Sequence, residues 1–475
     1  MEWHLRDLRS FLSANAAAVC DVDEPLSTVH EITALQHVLE KQGRYPVILV
    51  RRPVYADGHE AVMPVVTNLT ASRELTARAL DIADHREAAR VIAARTAAGI
   101  EPVAVERSQA PVQQQVFEGD ACDLRVLPAL TQHELEPGPY LTAAHATTFD
   151  PESGVDNTAI QRCWIKAPRR MSWFPYPASH NARNLERFWQ RGEACPVAFW
   201  IGHDPAVELG TQAKLRYPQS HWDAAGGVIG EALRLVPTIT HGAAIRVPAD
   251  AEIVVEGFAR PHDLGADGPF GEYTGYLGPQ VTAPVVEVSC ITMRAEPIYR
   301  DYGSGLADAL VPDNLTMEGK LYAIVKAVAP ALVNVHVPVS GRRFHAYLQL
   351  ASPQRGETRD AITAALAYRR TKAVVAVDTD VDIFSSDEVL WAIATRVQWS
   401  RDSFVIDGLS GSMLDPSLPS GASTASKIGI DATLPPAVRA GTPRPVPPRI
   451  SVPQAALDRA IVILGSRNGE RWPGA

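Results

Sequence analysis

The sequence predicts a protein of mixed α/β and β class in three parts: an N-terminal α/β domain at 1–113, a barrel-like β domain at 114–303, and a C-terminal α/β domain at 332–475 after a linker helix at 304–331. Two observations predict this. Helix and strand patterns alternate, give way to short β-rich segments separated by turns, and then return. A chain of 475 residues also exceeds what one hydrophobic core usually supports.

The first part is predicted to place helices around one buried strand. The first fifteen residues predict an amphipathic first helix, and they lack the continuous apolar core of a signal peptide. A helix is expected at 27–41, a buried strand at 45–50, and one or two helices within the alanine-rich stretch 72–98.

The middle part is predicted to consist mainly of short strands. A hairpin is expected in which 140–150 and 157–166 flank a turn at 151–154. Helices are expected only near 206–215 and 222–233. The remaining strands are predicted at 195–201, 245–247, 253–257, 285–292 and 297–300. So many short strands with so few helices indicate a barrel-like fold.

The last part returns to alternation after a helix at about 313–328. Its predicted elements are strands at 333–338, 344–350, 373–378 and 404–406, helices near 357–368 and 386–396, a proline-rich tail at 434–453 and a final helix at about 453–464.

Composition narrows the class of protein and the compartment. The net charge is -9 and no basic stripe with interleaved aromatic residues occurs, which argues against a nucleic-acid partner. No run of eighteen apolar residues occurs, so no membrane span is expected. The five cysteines are odd in number and form no CxxC motif, which argues against a disulfide framework or a cysteine zinc site. We therefore expect a cytoplasmic protein.

The stretch 256–279 contains two acidic residues separated by a turn-forming sequence. Asp267 and Glu272 flank Gly-Pro-Phe-Gly, which is not expected to continue a helix or a regular strand. Paired carboxylates on one shaped loop suit a site in which one acid stays ionised and the other moves a proton. Spacing alone favours the alternative, an exposed turn with two solvated acids.

The segment PFGEYTGY at 269–276 resembles the signature loop of the UbiD-type decarboxylases, which use prenylated flavin mononucleotide. Other stretches are similar to that family in the same order, over roughly 130–435: GPYLTAAHATTFDPESG, DNTAIQR, a following SH, VPADAEIVVEG and SKIGIDAT. The resemblance implies that the middle domain is a split β-barrel of the flavin-reductase type that holds the flavin. It also implies that the C-terminal domain makes a dimer contact.

The resemblance assigns three catalytic residues. Arg162 would hold the substrate carboxylate through two parallel bonds, Asp267 would hold Arg162, and Glu272 would donate a proton. Asp267 stands where better-studied members have Glu, which shortens its reach by one methylene and keeps the charge. The implied flavin-binding residues are Asn157, Ile160, Gln161, Arg162, Ser179 and His180. On a regular strand Asn157 and Arg162 would point to opposite faces, so the segment must bend to present both.

A metal site is also implied, with Mn²⁺ on the flavin phosphate and K⁺ nearby. Its ligands would be Asn157, His180 and His221. His180 follows Arg162 by eighteen residues, which equals the spacing in the family. The third ligand in the family is Glu, and the alignment places His221 there. Either the metal differs, or Asp223 takes over, or the alignment slips by two residues.

The leading hypothesis is a non-oxidative, reversible decarboxylase of an aromatic or heteroaromatic acid of the indole-, pyrrole- or furan-carboxylate type. The flavin would serve as electron sink and CO₂ would leave. A flavin prenyltransferase would supply the cofactor, and the protein would form a homodimer or a higher homo-oligomer. The segment 303–314 is predicted to face the substrate. Lys427 is assigned either to the flavin phosphate or to a domain interface.

Two alternatives of other classes stay open. The first is a catalytically silent UbiD-like scaffold subunit of a carboxylase complex, which the retained Arg162, Asp267 and Glu272 argue against and His221 leaves possible. The second is a plain flavin oxidoreductase, which would bind unmodified flavin and use a nicotinamide donor.

Overall fold

The computed structural model describes residues 6–177, 179–419, 421–434 and 449–465. The start of the predicted first helix and most of the predicted proline-rich tail lie outside these residues. The chain up to Thr433 forms one compact unit, and the residues from Leu434 form a second, which is described separately below. Among the described residues, no helix combines the length and apolar character needed to cross a membrane.

The first part builds a small sheet flanked by helices. Its strands are β1 (Val19–Val22), β2 (Leu26–Ser27), β3 (Val47–Val50), β4 (Pro53–Val54), β5 (Val65–Thr67) and β6 (Val103–Ala104), and its helices are α1 (Leu8–Ala14), α2 (Glu31–Lys41), α3 (Arg73–Ala79) and α4 (Ala88–Ala98). The buried strand expected at 45–50 is confirmed as β3. The predicted start of the helix at residue 27 was wrong, because Leu26–Ser27 pairs in parallel with Pro53–Val54.

The middle part is a curled antiparallel half-barrel. Its strands are β7 (Gln115–Glu118), β8 (Tyr140–Leu141), β9 (His145–Phe149), β10 (Asp156–Ile160), β11 (Cys163–Ala167), β12 (Arg170–Trp173), β13 (Cys195–Ile201), β14 (Arg234–Thr238), β15 (Gly242–Pro248), β16 (Ile253–Asp267), β17 (Phe270–Gly271), β18 (Leu277–Gly278), β19 (Val281–Met293) and β20 (Tyr299–Arg300), and its helices are α5 (His180–Gln190), α6 (Pro205–Gly210) and α7 (His221–Ile229).

Nine of these strands form one sheet in the order β10-β9-β13-β16-β19-β12-β11-β8, with β7 paired to β19. The long strands β16 and β19 shift register twice against each other, which is how bulges bend a sheet. The barrel-like prediction is confirmed at this level, and the flavin-reductase type stays a prediction.

Two predicted barrel strands lie outside the half-barrel. The strand expected at 245–247 is part of β15, which pairs with β14 in a separate three-stranded sheet completed by β6. Tyr299–Arg300 does not join the half-barrel but pairs in parallel with Val65 and Val66 of the first sheet. A strand of two residues is too short for a hydrophobic pattern that would identify the strand it pairs with, so the sequence could not predict this pairing.

The predicted hairpin forms, but both of its arms are shorter than expected, and Tyr140–Leu141 from the predicted first arm pairs with β11 instead. Asp156–Ile160 pairs antiparallel with His145–Phe149. The chain then leaves this ladder at Gln161 and Arg162 and resumes at Cys163, which pairs with Trp173 and Leu141. This break is the bend that Asn157 and Arg162 require if they are to serve one site.

The last part contains α8 (Ala307–Lys326), β21 (Leu332–His336), β22 (His345–Leu350), α9 (Glu357–Leu366), β23 (Ala373–Asp378), α10 (Ser386–Arg396), α11 (Trp399–Asp402), β24 (Ser403–Ser410) and β25 (Thr424–Asp431). Its five strands form a mixed sheet in the order β21-β22-β23-β25-β24. The strand at 373–378 and the helix at 386–396 are confirmed. The strand β25 was not predicted, because its residues were interpreted only as part of the SKIGIDAT motif. In the second unit, α12 (Gln454–Gly465) confirms the final helix.

Helix α8 begins six residues earlier than predicted because it runs through Pro312. Proline lacks the N–H that would bond the carbonyl four residues back, and it usually ends or kinks a helix. Here that carbonyl belongs to Asp308, and the Thr70 hydroxyl donates to it at 2.8 Å. A side chain from the first part thus replaces the missing hydrogen bond.

A buried ion pair joins the parts of the first unit. Asp308 on α8 accepts from both terminal nitrogens of Arg300 at 2.9 Å, and both side chains are fully buried. Asp308 also accepts the backbone N–H groups of Asn68 and Thr70 at 3.0 Å. The start of α8, the end of the β-rich part and the loop after β5 are therefore held by one carboxylate.

Asp308→Ala should lower the free energy of unfolding by about 3 to 5 kcal/mol, because it removes the main partner of a buried guanidinium. Asp263→Ala is the matched control, since it breaks an exposed pair with Arg170 and should cost at most about 1 kcal/mol. Urea midpoints followed by tryptophan fluorescence measure both. Equal shifts would contradict the assignment of Asp308 as the junction.

Candidate active site

One cavity collects nearly all the predicted site residues. It has a volume of about 520 Å³. The predicted residues that line it are Asn157, Ile160, Gln161, Arg162, Ser179, His180, His221 and Glu272. Asp267 is fully buried and contacts Arg162. Residues from the predicted substrate-facing stretch, including Ser304, Gly305 and Ala309, line the same cavity.

Arg162 is fixed by two carboxylates and two rings. Its Nε donates to Asp267 Oδ2 at 2.8 Å, and its Nη2 lies 2.7 Å from the same oxygen. Its Nη1 donates to Glu272 Oε1. The guanidinium carbon lies 4.5 Å from the ring centre of Phe174 and 4.9 Å from that of Phe270. The cation therefore has one defined orientation on the cavity wall.

Asp267 ends β16 and is held from behind. Ser172 Oγ donates to its Oδ1 at 2.7 Å. The next residue, Gly268, has φ of +85°, a conformation that glycine adopts without strain, and its N–H donates to the Tyr140 hydroxyl at 2.9 Å. The Gly-Pro-Phe-Gly segment does not continue β16, as expected, and Phe270–Gly271 forms a separate short antiparallel pair with β18.

Glu272 is a buried carboxyl beside a cation, which excludes the alternative of two solvated acids on an exposed turn. Its side chain is 15% exposed, and that of Asp267 is 0% exposed. Burial raises the pKa of Glu272, while Arg162 and Arg343 oppose that rise. The carboxyl is thus disposed to hold a proton at higher pH than an ordinary glutamate whenever Arg162 is engaged elsewhere.

Two histidines begin two helices at the cavity. His180 is the first residue of α5 and His221 the first residue of α7, and their ring centres lie 5.7 Å apart. The carboxylate of Asp156 on β10 accepts the backbone N–H of His221 at 2.8 Å. Burial, with His180 and Lys214 nearby, lowers the pKa of His221 to about 3, so its imidazole is neutral at physiological pH. Burial also lowers the pKa of His180.

An amide network supports the remaining predicted flavin contacts. Asn157 donates its side-chain N–H to Asn181 Oδ1, which leaves the Asn157 oxygen available as an acceptor or ligand. Gln161 accepts from Trp173 Nε1 at 2.6 Å and from Asn181 Nδ2 at 3.1 Å. Asn181 on α5 therefore links Asn157 and Gln161, which lie on opposite sides of the strand end at Ile160.

Sequence reasoning missed a cationic cluster on the same cavity. Asp313 on α8 pairs with Lys214, Arg343 and Arg370, which lie far apart in sequence. These cations hold the pKa of Asp313 well below its usual range, and burial lowers the pKa of Lys214 to about 8. Adjacent pairs of arginines at 342–343 and 369–370 were a visible signal, but nothing local showed that they face this cavity. Other cations lining it are Arg216, Lys320 and Arg369.

Two residues whose roles the sequence left undecided, Lys427 and Asp223, do not line the cavity. Lys427 donates to the carbonyls of Leu366 and Tyr368 within the C-terminal part, at 2.9 and 2.8 Å, and is not among the residues lining the cavity. The carbonyl of Asp223 accepts from Ile100, and its Cβ faces Gly99. His221 lines the cavity and Asp223 does not, so the geometry favours His221 as the third residue beside Asn157 and His180.

These three side chains fit a metal ion only together with an anionic ligand. Across the described ranges, no group of three or more His, Cys, Asp or Glu side chains could hold a metal. His221 Nδ1 is nevertheless buried without a hydrogen-bond partner, as expected of an atom kept for a ligand. Ring centres 5.7 Å apart suit two imidazoles sharing one ion at metal–nitrogen distances of about 2 Å. A phosphate oxygen would supply the missing negative charge.

Models of protein families match three successive segments of the chain. Residues 15–96 match the N-terminal domain of 3-octaprenyl-4-hydroxybenzoate carboxy-lyase, 103–305 its Rift-related domain and 313–432 its C-terminal domain. All three are models of the UbiD family. The chain belongs to the UbiD family of carboxy-lyases.

Solved structures agree along nearly the whole length. The chain is 33% identical to the UbiD-class enzyme HmfF from Pelotomaculum thermopropionicum in complex with FMN, over 95% of this chain and 98% of the other, with a TM-score of 0.86. The chain is 32% identical to an evolved dimeric form of HmfF in complex with prFMN, over 96% of this chain and 98% of the other, with a TM-score of 0.84. It is 25% identical to the 3,4-dihydroxybenzoic acid decarboxylase from Klebsiella pneumoniae, over 96% of this chain and 99% of the other, with a TM-score of 0.84.

A curated relative is also similar. The anhydromevalonate phosphate decarboxylase of Methanothermobacter thermautotrophicus is 29% identical over 435 residues, which are 90% of this chain and 97% of the relative. Two of these relatives are named as decarboxylases, one of 3,4-dihydroxybenzoic acid and one of anhydromevalonate phosphate.

Tyr140→Phe tests the support behind Asp267. The change leaves the buried Gly268 N–H without an acceptor and should cost about 1 to 3 kcal/mol of stability. Amide hydrogen exchange of peptides covering 268–272 should also become faster. Tyr55→Phe is the matched control, because that hydroxyl bonds Val126 at an exposed site. Unchanged exchange at 268–272 would show that Tyr140 does not hold this segment.

Proposed function

We propose that this protein catalyses the non-oxidative, reversible decarboxylation of an aromatic or heteroaromatic carboxylic acid with prenylated FMN. The observation that carries the proposal is Arg162, held between Asp267 and Glu272 on the wall of the cavity that His180 and His221 also line. Membership of a carboxy-lyase family supports the reaction class. The likeness to HmfF, solved with FMN and with prFMN, supports the cofactor.

The cavity suits a flavin phosphate where α5 and α7 begin. Helix N-termini attract anions through unpaired N–H groups and the helix dipole, and the first residue of each helix lines the cavity. At α7 the Asp156 carboxylate already accepts the N–H groups of His221 and Trp222, so α5 is the helix whose N-terminus would serve the phosphate. Asn157, His180 and His221 would hold Mn²⁺ beside this phosphate, with K⁺ nearby. When bound, prenylated FMN supplies an electron sink for the carbon that loses CO₂.

Arg162 would bind the departing carboxylate and thereby change the protonation state of Glu272. Asp267 occupies Nε and Nη2 of Arg162, so Nη1 is the group that a substrate carboxylate can take from Glu272. Once that happens, Glu272 loses its nearest counter-ion while it stays buried, and burial then favours its protonated form. Substrate binding therefore prepares Glu272 to deliver a proton to the carbon that CO₂ leaves.

A second candidate substrate class is a phosphorylated unsaturated acid. The cavity is lined by cations beyond Arg162, namely Lys214, Arg216, Lys320, Arg343, Arg369 and Arg370. This supply exceeds what one flavin phosphate needs, and the archaeal relative is named for a phosphorylated substrate. A homodimer is also proposed, supported by the dimeric form of HmfF.

The proposed function is tested by co-expression with a flavin prenyltransferase. Mass and absorbance of the bound flavin identify the cofactor. Product formation is then measured with indole-3-, pyrrole-2- and furan-2-carboxylate, 3,4-dihydroxybenzoate and anhydromevalonate phosphate. Protein that carries only unmodified FMN and oxidises a nicotinamide donor would instead indicate a flavin oxidoreductase. A protein that takes up no flavin would indicate a scaffold subunit.

Glu272→Gln should keep flavin and substrate binding, because the amide is nearly isosteric, and lose turnover by on the order of a hundredfold or more. With product in D₂O, the wild type should exchange the hydrogen on the carbon that would carry the carboxylate in the acid, and the variant should not. Glu193→Gln, which changes an exposed carboxylate between α5 and β13, is the control. Exchange at the wild-type rate in Glu272→Gln would assign the proton to another group.

Asn157→Ala and His180→Ala should reduce the manganese and flavin retained per chain, and His221→Ala should do so more weakly. Each variant removes a proposed ligand, and among the described residues no group of three or more acidic, histidine or cysteine side chains is present to hold the ion instead. Elemental analysis and flavin absorbance measure the two losses. Asp223→Ala should retain both, and loss in Asp223→Ala without loss in His221→Ala would exchange their roles.

A further inference from the structure

A second cavity lies on the far side of the loop that carries Glu272. Its volume is about 690 Å³, and α2 contributes to its lining through Thr33, His37 and Glu40. Gly271, Glu272, Ser304 and Gly305 line both cavities, so the two meet at Glu272. Tyr276, which also lines the second cavity, is 65% exposed, so this cavity reaches the surface.

His133 lies against the residue that precedes Glu272. A methyl group on Gly271 would lie 2.6 Å from His133 Nδ1, so the imidazole occupies the space that any other side chain at position 271 would need. His133 lines the second cavity together with Glu272, and its side chain is 25% exposed. The ring therefore bridges the catalytic loop and solvent.

Glu136 holds both the histidine and the loop. Its buried carboxylate accepts from His133 Nδ1 at 2.8 Å and from the Gly271 N–H at 3.0 Å through the same oxygen. Its other oxygen accepts the backbone N–H groups of Gln132 and His133 at 2.8 and 3.1 Å. Because a carboxylate only accepts, Nδ1 of His133 carries a hydrogen, and Nε2 is the atom that can gain and lose a proton.

The proposed reaction creates a need that this arrangement meets. Each carboxylate converted to CO₂ and a C–H bond consumes one proton, which Glu272 gives up and must regain. During turnover the first cavity is filled by flavin and substrate, so bulk water is excluded from that side. The second cavity is the side of Glu272 on which a titratable group faces solvent.

We propose that His133, oriented by Glu136, reloads Glu272 with a proton from the second cavity in each turnover. This inference rests on the proposed function. Nε2 takes a proton from solvent, and the Nε2–H then passes a proton through water to the Glu272 carboxylate, so one proton enters for each CO₂ released. His133 acts through Glu272 and is a positioning and relay residue, since it contacts neither substrate nor flavin.

The test measures the first turnover and the later ones. His133→Gln is loaded with prenylated FMN and mixed in excess with the acid from the panel above that the wild type converts fastest. The first turnover should slow together with later ones, because Glu272 at rest is paired with Arg162 and takes up its proton only after substrate displaces that pairing. Steady-state turnover should fall on the order of tenfold or more, because reloading becomes slow. Flavin content and melting temperature should not change.

His37→Gln is the matched control, because its ring lies 6.2 Å from that of His133 in the same cavity, and it should leave both rates unchanged. In His133→Gly, added imidazole should restore steady-state turnover. This second variant tests the relay even if His133→Gln folds poorly. Failure of added imidazole to restore turnover in His133→Gly would make His133 purely structural and overturn the relay. Wild-type rates in His133→Gln would also overturn it. Failure of the wild type itself to convert any acid would instead overturn the proposed function.

Discussion

The burial of one permanent cation governs the candidate site. Arg162 cannot lose its charge, so its removal from water must be offset by paired and hydrogen-bonded carboxylates. Asp267 provides this from the end of β16, and Glu272 provides it from across the Gly-Pro-Phe-Gly turn. Ser172 and Tyr140 then satisfy the remaining polar groups behind the turn. The shape of the loop follows from the need to bring two acids to one guanidinium.

Burial in low-polarity surroundings shifts the pKa values of acids and bases in opposite directions. Burial raises the pKa of Glu272 and lowers the pKa of His221, because in each case the charged form loses hydration. One carboxyl thereby becomes able to hold a proton, and one imidazole stays free for a ligand. Burial thus favours the neutral form of both groups, which is a protonated carboxyl at Glu272 and an unprotonated imidazole at His221.

The cavity exists only because the parts of the chain interlock. Tyr299–Arg300 leaves the half-barrel to join the first sheet, and Arg300 is then anchored by Asp308 at the start of α8. That helix carries Asp313, on which Arg343 and Arg370 from the last part converge. The geometry of the cationic wall therefore depends on pairings between residues separated by many tens of positions.

The sequence by itself determined the elements and residue types that depend on local pattern. The strand at 195–201 and the helix at 386–396 follow from hydrophobic periodicity, and the acids of the site follow from a motif resembling the family loop. Only the tertiary structure decided the break at Gln161, the partner of Tyr299–Arg300 and the gathering of cations around Asp313. Those features depend on which distant backbone and side-chain groups satisfy one another once buried, and no local window contains that information.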